Sequence, residues 1–283
     1  MSNTRLWLGL LETPGIDRKI LKSAAAGTLP LEGPWVSKEG EERAEEILEA
    51  SEKAHIRVLT PWDGEFPARL RAIPSPPLIL FVKGSAALLR EPRIAAAAGS
   101  VSPGAGADAA CRRVVGALCR RGFAVVSGLA RGCDTLAHQC CLEAGGMTVA
   151  VLAHGLDYCY PRENRPLADA ILDRGGLLLS EYPPGVRPRR NYFVARDRLQ
   201  SGLGRGLCVI ETGLSGGTMH TVRFAEKQGR PIGCVPCEAP GSRFLLDGKK
   251  ARPLGSDGEI EEFIRVMEEP SCHRPDFFGA LFV

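Results

Sequence analysis

Apolar residues between positions 6 and 27 recur at helical spacing, break at Thr13-Pro14-Gly15-Ile16-Asp17, and resume through Ile20 and Leu21. That pattern predicts two short helices around a tight turn. Residues 38–53 are densely charged, with Ile47 and Leu48 together on one side, the mark of a further amphipathic helix. Pro61, Pro67, Pro74, Pro76 and Pro77 then crowd a stretch that can be neither regular helix nor central strand, so a linker and a domain boundary are expected there. Beyond it the period changes. Short apolar runs at 78–82, 94–98, 123–126, 148–153, 177–179, 207–210 and 231–235 alternate with stretches of helical periodicity. Such alternation predicts an α/β fold, a mostly parallel sheet with crossover helices on both faces. The run Ile94-Ala95-Ala96-Ala97-Ala98 fits least well, because alanine has poor strand propensity. The expected division is a helical module over 1–60, the α/β domain over 61–267 and a loose tail over 268–283.

Composition leaves this picture standing. A chain of 283 residues and 30.4 kDa, 44% hydrophobic and 24% charged, can bury a sizeable core. The formal charge of +3 is too small to declare a polyanionic partner, so any such argument rests on where the arginines lie. No apolar run approaches the roughly 18 residues a membrane helix needs, and Met1 opens no signal sequence, so no membrane association and a cytoplasmic location are expected. The ten cysteines fit that compartment as reduced thiols, several of them inside apolar patterns, such as Cys111, Cys119, Cys140 and Cys208. Cys234 and Cys237 form a CxxC pair at a strand end, but no second pair with zinc spacing accompanies it. Neither a metal nor a cofactor is expected.

In an open α/β sheet ligands gather at the carboxyl ends of the strands, and Gly99, Gly128, Gly155 and Gly213 each follow a predicted strand closely. Gly99 and Ser100 open a glycine-rich turn into a helix, where backbone N–H groups and the helix dipole favour an anion. Ser127 and Gly128, with Arg131, offer a second such turn, and Asp134 is placed as the N-cap of the next helix. His138 in that helix reads as a structural histidine, having no nucleophile or second carboxylate to form a triad. Arg162 and Arg165 follow the strand ending near His154. The run 211–218 supplies further amides at another helix start.

The most informative stretch is 187–205, with Arg187, Arg189, Arg190, Arg196, Arg198 and Arg205 against the single acid Asp197, and Tyr192 and Phe193 in its middle. Guanidinium groups pair with phosphates and aromatic faces stack on bases, a combination suited to unpaired nucleic acid. A solvated basic loop with two buried aromatics is the alternative reading of the same residues.

The strings VVSGLARGCDTLAH from Val125, VAVLAHGLDYCYPRENRPLADAI from Val149, GGLLLSEYPPG from Gly175 and FVARDRLQSGL from Phe193 resemble the DprA/Smf family in order and spacing, over about residues 66–235. The Pro14-Gly15-Ile16 turn is similar to the sterile-alpha-motif-like module of many relatives. The resemblance implies an extended Rossmann-like domain and a non-enzymatic protein that binds single-stranded DNA. It also implies dimerisation and assistance to a RecA-type recombinase during natural transformation. Its single-strand contacts map onto Gly99, Ser100, Arg162, Phe193 and Arg196. Together with the positions chosen on charge and turn chemistry, the expected nucleic-acid site is Gly99, Ser100, Ser127, Gly128, Arg131, Arg162, Arg189, Arg190, Phe193, Arg196 and Arg198. Departures are specific: Val101 stands where relatives carry an arginine, and Asp197 where they carry asparagine between two arginines.

Two other classes compete. The cytokinin-activating phosphoribohydrolases are Rossmann-like enzymes with a related glycine loop and a glutamate soon after it. Here Ser215-Gly216-Gly217-Thr218 is followed by no acid before Glu226, so no catalytic residue is assigned. A sensor of a small phosphorylated ligand is the third reading, with Val101 and Asp197 its best support.

Overall fold

A computed structural model describes residues 3–25, 27–31 and 33–269. Helices α1 (Asn3–Glu12), α2 (Arg18–Ala25) and α3 (Lys38–Lys53) stand where the apolar spacing predicts them. Ser37 starts α3 by accepting the Gly40 N–H at 3.0 Å. The remaining elements, in chain order, are β1 (Arg57–Leu59), α4 (Ala68–Arg71), β2 (Leu80–Gly84), β3 (Ile94–Ala98), α5 (Ala107–Arg120), β4 (Ala124–Ser127), α6 (Cys133–Glu143), β5 (Thr148–Leu152), α7 (Arg165–Asp173), β6 (Leu177–Ser180), α8 (Arg190–Leu203), β7 (Leu207–Val209), α9 (Gly217–Lys227), β8 (Ile232–Cys234), α10 (Pro240–Asp247), β9 (Arg252–Pro253) and α11 (Asp257–Glu268). Most of the expected tail lies outside the described residues, and Glu268 belongs to α11.

The strands form one sheet in the order β1-β2-β6-β5-β4-β3-β7-β8-β9. Ladders from β3 through β9 are parallel, as the alternation requires, whereas β2 runs antiparallel to both β1 and β6. The run at 78–82 is therefore a strand, but one that enters the sheet reversed. β1 and β9 are strands that the periodicity does not reveal, being three and two residues long.

The alanine strand β3 lies near the centre of the sheet, between β4 and β7, and its side chains alternate between two apolar layers. Ala96 and Ala98 join a core with Leu199 and Leu203 of α8, while Ala95 and Ala97 join one with Cys111 and Val115 of α5. Small side chains let helices approach on both faces, so packing overrides intrinsic propensity here. Helices α4, α8, α9 and α10 contribute to the first layer, and α5, α6 and α11 to the second.

The N-terminal helices share a core with the sheet. Trp7, Leu8, Leu10, Ala44 and Ile47 cluster with Phe81, Leu152, Ile171 and Leu178. Trp7 is fully buried, donates its indole N–H to the Leu78 carbonyl at 2.6 Å, and meets Trp62 edge-on with ring centroids 5.0 Å apart. The proline-rich stretch likewise buries Phe66, Leu70 and Ile73. No helix among the described residues is long and apolar enough to cross a membrane.

Candidate nucleic-acid interface

From β3 the chain passes outward through β4, β5 and β6, then returns to place β7 on the opposite side of β3. Connections diverging from two adjacent parallel strands leave a crevice at their carboxyl ends. A cavity of about 460 Å3 opens there, a volume typical of ligand sites, which run from about 300 to 1,000 Å3. Gly99 and Ser100 after β3, Gly128 and Arg131 after β4, and Thr212 and Ser215 to Thr218 after β7 line it. Helix α8 crosses its floor with Phe193, Arg196, Asp197 and Gln200, and Tyr160 stands at its edge.

The stretch 187–205 is mostly the helix α8 rather than a basic loop, and its C-terminal half is buried. Arg196 is not a free cation. Its Nη1 donates to the Gly128 and Val151 carbonyls, each at 2.6 Å, and its Nε to Asp197 at 3.1 Å. A Cβ on Gly128 would collide with this guanidinium, so the glycine is needed for close approach rather than for an anion-binding turn. Arg198 is half-buried and pairs with Glu181 at 2.6 Å, and Arg205 caps the end of α11 through the carbonyls of Met267, Glu268 and Glu269. Neither reaches the cavity. Ser127 is enclosed, with its hydroxyl donating to the Ala97 carbonyl at 2.8 Å.

The two expected anion turns are largely filled by the chain's own acids. After β3, the Ser100 N–H donates to the Glu211 carbonyl at 2.8 Å and the Gly104 N–H to the Glu211 carboxylate at 3.0 Å. After β4, the Ala130 N–H points to the Asp134 carboxylate at 3.3 Å. Asp134 is a buried residue within the first turn of α6, whose N-cap is Gly132, so the expected capping role is corrected. The third turn is open: a Cβ on Gly216 or Gly217, at the start of α9, would meet nothing within 4 Å.

Asp134, Asp197 and Arg196 thus place two carboxylates and one guanidinium in buried positions along the cavity. Burial pushes the Asp197 carboxyl up to about 7; Arg196 opposes that shift and Asp134 adds to it. Burial likewise raises Asp134, against the pull of Arg196. His138 is the structural residue expected: it shares a hydrogen bond of 2.7 Å with Thr148, and burial holds its imidazole down to about 3, hence neutral. Gln200, which charge-based reading overlooks, anchors α8 to β3 by donating to the Ala97 carbonyl at 2.8 Å. Nothing in its local sequence distinguishes it.

At the cavity mouth and beside it the structure assembles the aromatic and basic residues that the sequence separates. Phe193 lies 5.8 Å from Tyr160, centroid to centroid, and the Arg187 guanidinium sits 4.2 Å above the Tyr158 ring. The Arg162 Nε reaches the Tyr158 hydroxyl at 3.4 Å. Arg189 and Arg190, both exposed, begin α8 one turn before Phe193, and Tyr192 stacks on Tyr182 at 4.1 Å. Arg131 is exposed but paired with Glu163. Val101, 62% exposed, puts an apolar side chain on the rim. The described cysteines are free thiols, most of them buried, and no cluster of three or more metal-ligating side chains occurs among the described residues.

The sequence profile of the family described as DNA recombination-mediator protein A matches residues 57–257. The chain is 35% identical over 190 residues to the DNA processing protein DprA of Bacillus subtilis, an alignment covering 67% of this chain and 64% of that one. It is 38% identical over 207 residues to a putative DNA processing protein DprA of Mycobacterium tuberculosis, covering 69% and 53%. The matched stretch is thus less than two thirds of these relatives' own length. Among solved structures, DprA from Streptococcus pneumoniae superposes with a TM-score of 0.78 at 29% identity, covering 93% of this chain and 98% of that one. DNA processing protein A from Helicobacter pylori, a structure described for its single-stranded DNA binding mode, gives 0.67 at 27% identity, covering 76% and 98%. The chain belongs to the DNA recombination-mediator protein A family.

Proposed function

We propose that this chain binds single-stranded DNA at the carboxyl edge of its parallel strands and does no covalent chemistry on it. The observation that carries this reading is the convergence of Phe193 and Tyr160 with Arg162, Arg187, Arg189 and Arg190 beside the crevice between β3 and β7. Rings that can stack on unpaired bases, flanked by guanidinium groups for phosphates, form a surface that tolerates any sequence; each stacked base contributes roughly 1–3 kcal/mol. Kinship with the H. pylori protein points the same way. Arg196, Arg198 and Ser127 act in this reading from behind the surface, by fixing α8 and the β4 turn, whereas the exposed cations make the contacts.

The glycine loop at Ser215–Thr218 carries no acid of its own before Glu226, and Glu226 pairs with Lys250 at 3.5 Å, so the local pattern of a phosphoribohydrolase loop followed by its glutamate is not met. A RecA-type recombinase and a second copy of the chain are the partners this role requires, in the handling of incoming DNA.

The test is a titration of labelled single-stranded and duplex oligonucleotides at two salt concentrations. Tighter binding of the single strand, weakened steeply by salt, is expected; no interaction with a thymidine oligomer at low salt would overturn the assignment.

A further inference from the structure

Away from the crevice, two thiols face each other across a pair of packed helices. Cys119 lies in the last turn of α5 and Cys141 near the end of α6, with their sulfurs 3.7 Å apart and sharing a hydrogen bond. The helices already pack through Cys111, Val115, Ala137 and Cys140, so the sulfurs meet across an existing interface. Gly146 leaves room for them: a Cβ there would lie 2.6 Å from the Cys119 sulfur and 2.9 Å from that of Cys141. The two differ in exposure. Cys119 is half-buried and within reach of a small solute, whereas Cys141 is enclosed, with its Sγ 3.3 Å from the Met147 carbonyl. Hydrogen bonding with Cys141 holds the Cys119 thiol below its ordinary value, against the effect of burial, and the Arg120 charge adds to the lowering. A half-exposed thiol of lowered pKa beside an enclosed second thiol lets the neighbour capture the first sulfur once it is oxidised.

We propose that Cys119 and Cys141 are an oxidisable pair that takes hydrogen peroxide as its oxidant and closes a reversible disulfide between α5 and α6. The Cys119 thiolate attacks one peroxide oxygen: the S–O bond forms as the O–O bond breaks, and the departing hydroxide takes up the proton the thiol had lost, leaving as water. The Cys141 thiol then attacks the Cys119 sulfur. The S–S bond forms, the S–O bond breaks, and the hydroxyl leaves with the Cys141 proton as a second water. Two thiols are thereby oxidised by two electrons, the peroxide is reduced to two waters, and an added dithiol reverses the change. Both helices begin beside the crevice and carry this pair towards their other ends, so the bond ties the flank of the sheet together without touching the residues that line the cavity. The inference is independent of what the crevice binds.

In the experiment the folded chain is treated with hydrogen peroxide, the remaining thiols are alkylated, and the digested peptides are mapped by mass spectrometry. A Cys119–Cys141 linkage is expected, with the whole chain lighter by two hydrogens and the linkage lost on addition of dithiothreitol. Cys141→Ser should stop at a sulfenic acid on Cys119, which dimedone traps, and Cys119→Ser should give no linkage at Cys141. If either variant fails to fold, the wild-type map still decides. Linkage of a different pair in its place, such as Cys111 with Cys140, overturns the assignment. So does sulfinic acid accumulating on Cys119 without any linkage, and so does a treated chain in which every thiol is still free to be alkylated.

Discussion

Asp197 is the residue whose placement decides most. Read by its charge, it would repel phosphate in the groove; in the fold it lines the cavity but is buried beside Arg196, with its carboxyl raised to about 7 by burial. Its proton is held more tightly in the folded chain than at the ordinary value of 3.8, so this residue favours folding at low pH. That contribution is lost as pH rises from about 4 to about 7, a change on the order of a few kcal/mol. Asp197→Asn should therefore melt higher than the wild type at pH 8, with the difference shrinking as pH falls towards 4; calorimetry at several pH values reads this directly. A variant that melts lower at pH 8 would show that the Arg196 ion pair outweighs the cost of burying the charge. Gly128 is a steric counterpart. Gly128→Ala should cost about 1–3 kcal/mol, because the new Cβ meets the Arg196 guanidinium and the helix cannot retreat without breaking the Gln200 anchor to β3. Denaturant unfolding measures that loss.

At the level of elements, α8 is a core helix that exposes only its beginning. Its first turn presents Arg190 and, with the preceding Arg189, a pair of exposed cations, while Leu199 and Leu203 pack against the alanines of β3. The same helix thus carries both exposed cations and the central packing, which explains why a dense run of arginines is misleading: three of them bond to the protein itself. The N-terminal helices are held in a comparable way, by one large side chain. Trp7→Ala removes a fully buried indole and its bond to the Leu78 carbonyl, and should cost about 3–5 kcal/mol. Hydrogen exchange should then report loss of protection in α1 and α3 together, with β3 to β5 protected as before. Simultaneous loss in those central strands would mean that the helices and the sheet unfold as one unit.

For the whole molecule the net charge of +3 says little, because the cations are concentrated where the loop after β5 meets the start of α8. Each arginine that neutralises a phosphate releases counterions. Arg190→Glu or Arg162→Glu should therefore weaken binding across sequences and flatten the log–log salt dependence by about one for each phosphate that is no longer neutralised. Arg198→Gln should leave that slope unchanged, since its guanidinium is turned inward to Glu181, and should act on stability instead. Anisotropy titrations over a salt series separate the two outcomes.

Sequence by itself determined the α/β class, most of the central strands and the N-terminal helices, because alternating and helical periods report which faces avoid water. It also carried the family, whose strings lie in the strand-end turns that build the crevice. Direction and order of strands, the reversal of β2, and the site of the cavity between β3 and β7 were decided only in three dimensions, since they depend on contacts between residues distant in the chain. Tertiary structure decided likewise which charges face solvent. An arginine reads the same in sequence whether it faces solvent, as at Arg190, or satisfies buried carbonyls, as at Arg196, and packing alone tells them apart.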